Sequence, residues 1–279
     1  MSKKRLLYLP VALLSLFGLA AAGWWLLGPR PSNDRPWSPD QERLTTVEVD
    51  GDAVTVHNVR NTTYRSTDDF DVHWEERRYD LRELDSVWFV VEPFSEGAQT
   101  AHTLLSFGFG DEYLAVSVEI RKEVGESFSV LSGMLRQFEL MYVFGDEHDL
   151  IGLRANHRQD PVFLYPMKAS PEAIRALFLD MTSRANELAA EPAFYNTLTA
   201  NCTTTLVDHV NKLAPDTIPS WSSRVLLPGN SDELVWELGL IDSELPFPEV
   251  RERHRINDAA AAWADAPDFS LRIREGLGE

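Results

Sequence analysis

From Leu6 to Leu27 the chain reads LLYLPVALLSLFGLAAAGWWLL, without one charged side chain. At about 1.5 Å rise per residue, a helix of this run would cross a hydrocarbon core of roughly 30 Å. Beyond it the apolar positions break into short, alternating pieces. Val47, Val49, Val54 and Val56 flank Asp50-Gly51-Asp52 and predict two short strands, and residues 87–91 predict another. The clearest alternation lies between Ala101 and Arg121. Thr103, Leu105, Phe107 and Phe109, then Leu114, Val116, Val118 and Ile120, occupy every second place on either side of Gly110-Asp111. This spacing predicts a β-hairpin closed by a two-residue loop. Residues 138–144 and 162–165 add two more strands.

After these strands the period changes. Ser170-Pro171-Glu172 supplies a cap, a proline at the first helical position and an acid in the first turn. Ile174, Leu177, Phe178 and Met181 then form one apolar stripe of a helix that runs to about Ala190. A second helix starts near Cys202 and carries Leu206, Val207, Val210 and Leu213; a third covers residues 232–238. Strands in the middle flanked by helices predict an α+β domain. The expected organisation is a short N-terminus (1–5), a transmembrane anchor (6–27), a Pro-rich extended linker (28–43), the domain itself (44–242) and a peripheral, charged, then Ala-rich tail (243–279).

Charge gives the first segment an orientation. Lys3, Lys4 and Arg5 precede the apolar run, which keeps that end cytoplasmic and exports the remainder. Ala20-Ala21-Ala22 offers the competing reading of a cleaved signal peptide, but the apolar run continues through Trp24-Trp25-Leu26-Leu27. The expected location is the bacterial inner membrane, with the domain in the periplasm. The chain has 26 Lys and Arg against 44 Asp and Glu. The first 29 residues hold three of the former and none of the latter, so the exported part carries 23 basic and 44 acidic side chains, a net of −21. Such a surface repels nucleic acid and anionic lipid surfaces. Cys202 is the only cysteine, so no intramolecular disulfide can form in an oxidising compartment.

The chemistry of that thiol follows from its place. Asn201 is a good N-cap, and a thiol in the first helical turn meets the positive end of the helix dipole and unpartnered N–H groups. Both favour the thiolate, the nucleophilic form, and the same N–H groups are suited to an oxyanion. A small buried cysteine that merely packs the helix is the bland alternative. A nucleophilic thiol needs a base, and His102 is selected by register. If Phe109 pairs with Glu112, His102 stands opposite Glu119, which puts a carboxylate beside the imidazole. An ordinary cross-strand charge pair is the competing reading. Asp146 and Glu147 are rival orienters. Arg60, Arg121 and Arg154 are planar forks suited to a carboxylate or phosphate, or to the domain's own acids. Glu147-His148-Asp149 with His157 matches no standard metal spacing, so no metal and no cofactor is expected, and a solvated turn is predicted there.

These residues carry a resemblance. His102 with its hairpin, Ser117-Val118-Glu119-Ile120-Arg121, and Tyr195-Asn196-Thr197 leading to Asn201-Cys202-Thr203 resemble the Lnb N-terminal periplasmic domain family. Arg60-Asn61 with Tyr64, residues 147–154 and Leu227-Pro228-Gly229 also fit that pattern. The resemblance implies a papain-like thiol enzyme of circularly permuted order, with an antiparallel sheet packed on helices. It implies Cys202 as nucleophile, His102 as base and Glu119 as orienter, with Asn201, Thr203, Tyr195, Glu147, Arg121 and Arg154 as oxyanion or substrate contacts. A named member of the family is a lipoprotein N-acyltransferase, so a lipoprotein, or another lipid-linked or peptide substrate, is the implied partner. Hydrolysis of a cell-wall or peptide amide and a non-catalytic envelope scaffold are the alternatives.

Overall fold

The alternation in the central hairpin determines the architecture, because both of its faces are covered. The computed structural model describes residues 27–277, with Leu13, Ser15, Leu16, Gly18, Leu19, Gly23 and Trp24 before them. Strands β1 (Thr46–Asp50), β2 (Ala53–Arg60), β5 (Trp74–Asp80), β6 (Leu84–Pro93), β7 (Ala101–Phe109), β8 (Glu112–Arg121), β9 (Glu139–Gly145) and β10 (Phe163–Pro166) form one sheet. Its order is β1-β2-β9-β8-β7-β6-β10, with β5 also paired to β2. Strands β3 (Thr63–Tyr64) and β4 (Phe70–Asp71) form a separate two-stranded ribbon. Phe109 pairs with Glu112 as predicted, and Gly110 takes the left-handed conformation (φ +63°) that this tight loop requires.

Successive side chains of a strand point to opposite faces. Leu105, Phe107, Leu114, Val116, Tyr142 and Phe144 therefore join one core layer. It packs against α3 (Pro171–Ala190) and α4 (Cys202–Leu213) through Leu177, Phe178, Met181 and Leu206. Leu104, Ala115, Met141 and Val143 face the other way. There they meet Leu150 and Ile151 of α2 (Glu147–Gly152) and the C-terminal residues Ile256, Phe269, Ile273 and Leu277. Helix α1 (Val130–Met134) lies in the β8–β9 connection.

Four expectations change. The sheet is mixed, not antiparallel throughout, because β2 and β9 run parallel through Arg60 and Gly145. The segment after Asp242 is not peripheral. Its α5 (Phe247–Arg253) adds Val250 to the Leu105 layer, α6 (Asn257–Ala262) and α7 (Phe269–Arg272) add Ala260 and Phe269 to the opposite layer, and Arg274 forms a two-pronged ion pair with the fully buried Glu147 at 2.6 and 2.7 Å. The proline-rich linker is a docked strap. Asn33 donates to the carbonyls of Leu188 and Ala189, Ser32 N–H donates to Glu139, and Arg121 lies 4.2 Å over the Trp37 ring while donating to Gln41 and Glu42 carbonyls. Proline content made it look extended, but its polar residues between the prolines find partners on the domain. Residues 146–152 form a buried helix start where a solvated turn was predicted. Asp146 caps it, Asp149 is clamped by Arg60, and His148 points to the Ala264 carbonyl.

The expected anchor from Leu6 to Leu27 lies largely outside the described residues. Among the described residues, no helix is long and apolar enough to cross a membrane.

The Glu147–Arg274 pair makes a stability prediction. Arg274→Ala leaves a buried carboxylate without its partner and should cost about 3–5 kcal/mol. Urea unfolding monitored by circular dichroism checks it. A loss below about 1 kcal/mol would mean that the tail is not integral.

Candidate functional site

Helix α4 begins where it does because Asn201 and Thr204 close a capping box. Asn201 Oδ1 accepts from Thr204 N–H at 2.8 Å, and Thr204 Oγ1 accepts from Asn201 N–H at 2.9 Å. The Asn201 amide also donates to the Thr197 carbonyl at 2.7 Å. Its side chain is thus committed to shaping the turn. Cys202 follows as the first helical residue, buried except for its edge (9% exposed). The N–H groups of Cys202 and Thr203 are among those that an α-helix leaves without an internal partner.

The thiol meets His102, the second residue of β7. The imidazole Nε2 lies 2.7 Å from Ser117 Oγ, which in turn donates to Glu119 Oε1 at 2.7 Å. Nε2 is also 3.3 Å from that carboxylate. The relay therefore runs from His102 through Ser117 to Glu119, and the imidazole also interacts with the Cys202 thiol. Ser117 and Glu119 share a face because they are two apart on β8. The β7–β8 register carries the same offset that the turn arithmetic predicted.

A further cation fixes Glu119. Residues 153–158 form a π-helical turn after α2, and this irregularity aims Arg154 at the sheet. Arg154 Nη2 is 2.8 Å from Glu119, and its Nε is 2.6 Å from the fully buried Glu92. Glu92 pairs with His102 across β6 and β7 and receives Arg158 at 3.2 Å.

These charges set the protonation states. Burial alone disfavours the Cys202 thiolate, but His102 beside it, the Thr103 backbone and the Thr203 hydroxyl outweigh burial and bring the pKa down to about 7. Burial likewise disfavours the imidazolium. Glu119 and the thiolate prevail over it and over Arg154, and push His102 up to about 10. Glu119 stays ionised despite burial, held well below the usual carboxylate range by His102, Arg154 and Ser117. The imidazole is thus charged at neutral pH, where the thiol passes through its own ionisation.

Of the sequence-predicted residues, Cys202, His102, Glu119 and Arg154 form one cluster. Thr203 joins it, with Oγ1 at 3.7 Å from the sulfur and 2.9 Å from Thr103 Oγ1. Tyr195 is close enough for the thiol and Glu119 to help burial raise its phenol pKa. The others are elsewhere. Asn201 is a cap, Glu147 is paired with Arg274, Arg121 holds the strap, and Asp146 caps α2 and binds Arg77 at 2.7 Å. Sequence reasoning missed Ser117, Thr103 and Glu92. The i, i+2 spacing of Ser117 and Glu119 was a signal for the first; only cross-strand pairing to β6 reveals Glu92. Among the described residues, no group of three or more His, Cys, Asp and Glu side chains could hold a metal ion.

The α+β domain thus brings a helix-capped thiol, a strand imidazole and a buried carboxylate relay together. Residues 70–229, more than half of the chain and the span that contains both His102 and Cys202, match the Lnb N-terminal periplasmic domain, and the chain belongs to that family. The domain is accordingly a periplasmic one. Comparison with curated proteins and with solved structures returns no match.

The ion pair predicts a pH profile. Alkylation of Cys202 by a small uncharged electrophile should rise to a plateau with a midpoint near 7, below the ordinary thiol value of about 8.5. Below that midpoint the sulfur gains a proton and the rate falls about tenfold per pH unit. His102→Ala removes the stabilising cation and should move the midpoint above 8, slowing the reaction at pH 7 by roughly tenfold. An unmoved midpoint in the variant would dissolve the pairing.

Proposed function

We propose that this domain is a periplasmic, thiol-dependent acyltransferase acting on lipid-linked substrates, lipoproteins foremost. The observation that carries this reading is the coupling of Cys202 to His102, itself held by Ser117, Glu119 and Arg154. A thiol serving only to pack α4 has no need of an imidazole backed by a buried, ion-paired carboxylate. A strand histidine meeting a thiol at a helix start, with His before Cys in the chain, supports a papain-like arrangement of permuted order.

In the mechanism, the Cys202 thiolate attacks the carbonyl carbon of an acyl ester. N–H groups in the first turn of α4 stabilise the tetrahedral oxyanion. The carbon–oxygen bond breaks, and His102 gives its proton to the departing alcohol, leaving a thioester on Cys202. The amine of the acceptor then attacks the thioester. The carbon–sulfur bond breaks, an amide forms, and His102 takes the amine proton as the thiolate returns. Glu119, through Ser117, keeps the ring oriented and its charged form stable.

A cavity supports the choice of acyl group. About 340 Å³ of space lies between β6, β7, α3 and α4, lined by Leu105, Leu177, Leu206, Val207 and Val210 among others and reaching Thr203 beside the thiol. An aliphatic chain suits such a lining, and a polar cell-wall peptide does not. The apolar run from Leu6 to Leu27 fits an anchor that keeps this site at the inner membrane.

Full-length protein incubated with a long-chain aryl ester should gain the mass of one acyl group, and Cys202→Ala should gain none. His102→Ala should slow acylation at least about 100-fold. Val207→Trp, which fills the cavity, should slow long-chain acylation by roughly tenfold and leave an acetyl ester unaffected. If Cys202 never acquires an acyl group, the domain is a scaffold. If only amide substrates are cleaved, it is a hydrolase.

A further inference from the structure

A second surface lies at the end of the sheet that carries the thiol. Residues 127–135 (SFSVLSGML) contain no charged side chain, in a chain where a quarter of residues are charged. Apolar residues here are nevertheless turned outward. Phe128, Val130, Leu131, Met134 and Leu135 are 38–65% exposed, Val124 just before them is 68% exposed, and Leu198 in the facing loop is 46% exposed. A contiguous exposed apolar patch of this kind marks an interaction site.

The patch is fixed in place. Thr197 Oγ1 donates to the Val130 carbonyl at 3.0 Å, and Gly133 lies so close to Tyr195 and Thr197 that a side chain there would collide. The Phe128 ring stands edge-on to Tyr195 at 6.4 Å. Helix α1 is thereby joined to the loop that leads into Cys202.

The occupant is indicated by what enters beside it. Gly28, Pro29, Arg30 and Pro31, which directly follow the apolar run, line a cavity of about 380 Å³ with Arg136, Phe194, Tyr195 and Asn196. The first residues after that run therefore lie beside Tyr195, at the rim of the exposed patch. The nearby acids have partners: Arg35 pairs with Glu123 and Glu139 at 3.0 Å each, and Glu126 accepts a hydrogen bond from Gln137 at 2.9 Å. Arg30 is exposed beside the patch, and an arginine at the edge of an apolar face suits lipid phosphates at an interface. The rest of the domain is strongly acidic, so this end is the one suited to a phospholipid surface.

We propose that α1 and its flanking loop insert into the outer leaflet of the membrane that holds the N-terminal run, seating the domain thiol-end down. The domain is then oriented on the bilayer and does not swing on a tether.

The test uses the full chain in vesicles of phosphatidylethanolamine and phosphatidylglycerol. In a Cys202→Ser background, which removes the only native thiol, nitroxide labels are placed at Leu131→Cys and Phe128→Cys. A reference label is placed at Glu83→Cys, in the exposed turn at the opposite end of the sheet. The expected result is several-fold greater collision with oxygen relative to an aqueous nickel chelate at 131 and 128 than at 83. Equal ratios at all three positions overturn the proposal. Dipolar broadening at 131 also overturns it, because the patch then meets a second copy. Both labelled positions are exposed, so folding is not at risk from either. The measurement needs no catalysis, so its failure and failure of the acyl-transfer reading are independent.

Discussion

The interaction on which the site depends is the buried meeting of Glu119 with Arg154 and, through Ser117, with His102. A carboxylate removed from water is costly unless paired and hydrogen-bonded. Here it receives a guanidinium at 2.8 Å and a hydroxyl at 2.7 Å, so it remains ionised inside the protein. That retained charge raises the imidazole pKa, and the imidazolium lowers the thiol pKa. The chain of effects runs from a π-helical turn, through one arginine, to the sulfur. Each link lies on a different element, so the sheet must close before the thiol is activated.

Much of this was legible in the sequence, for reasons that differ by element. The hairpin was readable because a two-residue loop fixes register, and register fixed His102 opposite Glu119. Helix α3 was readable from Ser170-Pro171-Glu172, which cap it as expected, and it ends at Ala190, close to where its apolar stripe predicted. Helix α4 and the cap at Asn201 were readable from local residue chemistry. The strap and the C-terminal helices were not, because their interactions are long-range. Proline and charge density describe a segment's own preferences and say nothing of distant carbonyls such as those of Leu188 and Ala189 that receive it. Glu147 looked like a rival orienter only because its partner, Arg274, lies 127 positions away.

The two clamps with buried acids divide the labour. Arg60 with Asp149, at 2.8 and 2.9 Å, ties β2 to the start of α2. Arg274 with Glu147 ties the C-terminal segment to the same helix. Helix α2 leads directly into the π-helical turn that aims Arg154. The clamps therefore act on the site at one remove, by holding the platform from which Arg154 reaches Glu119.

The docked C-terminal segment has a consequence for how the surroundings of the thiol assemble. Ile273, Arg274 and Leu277, among the last residues of the chain, complete the layer that covers the His102 face of the sheet. That layer cannot close until these C-terminal side chains are in place. Until then α2 lacks one of its clamps, and Arg154 lacks the fixed platform from which it reaches Glu119. The arrangement around Cys202 thus depends on side chains far beyond it in sequence, and a variant cut before Phe269 would carry the thiol with its surroundings unassembled.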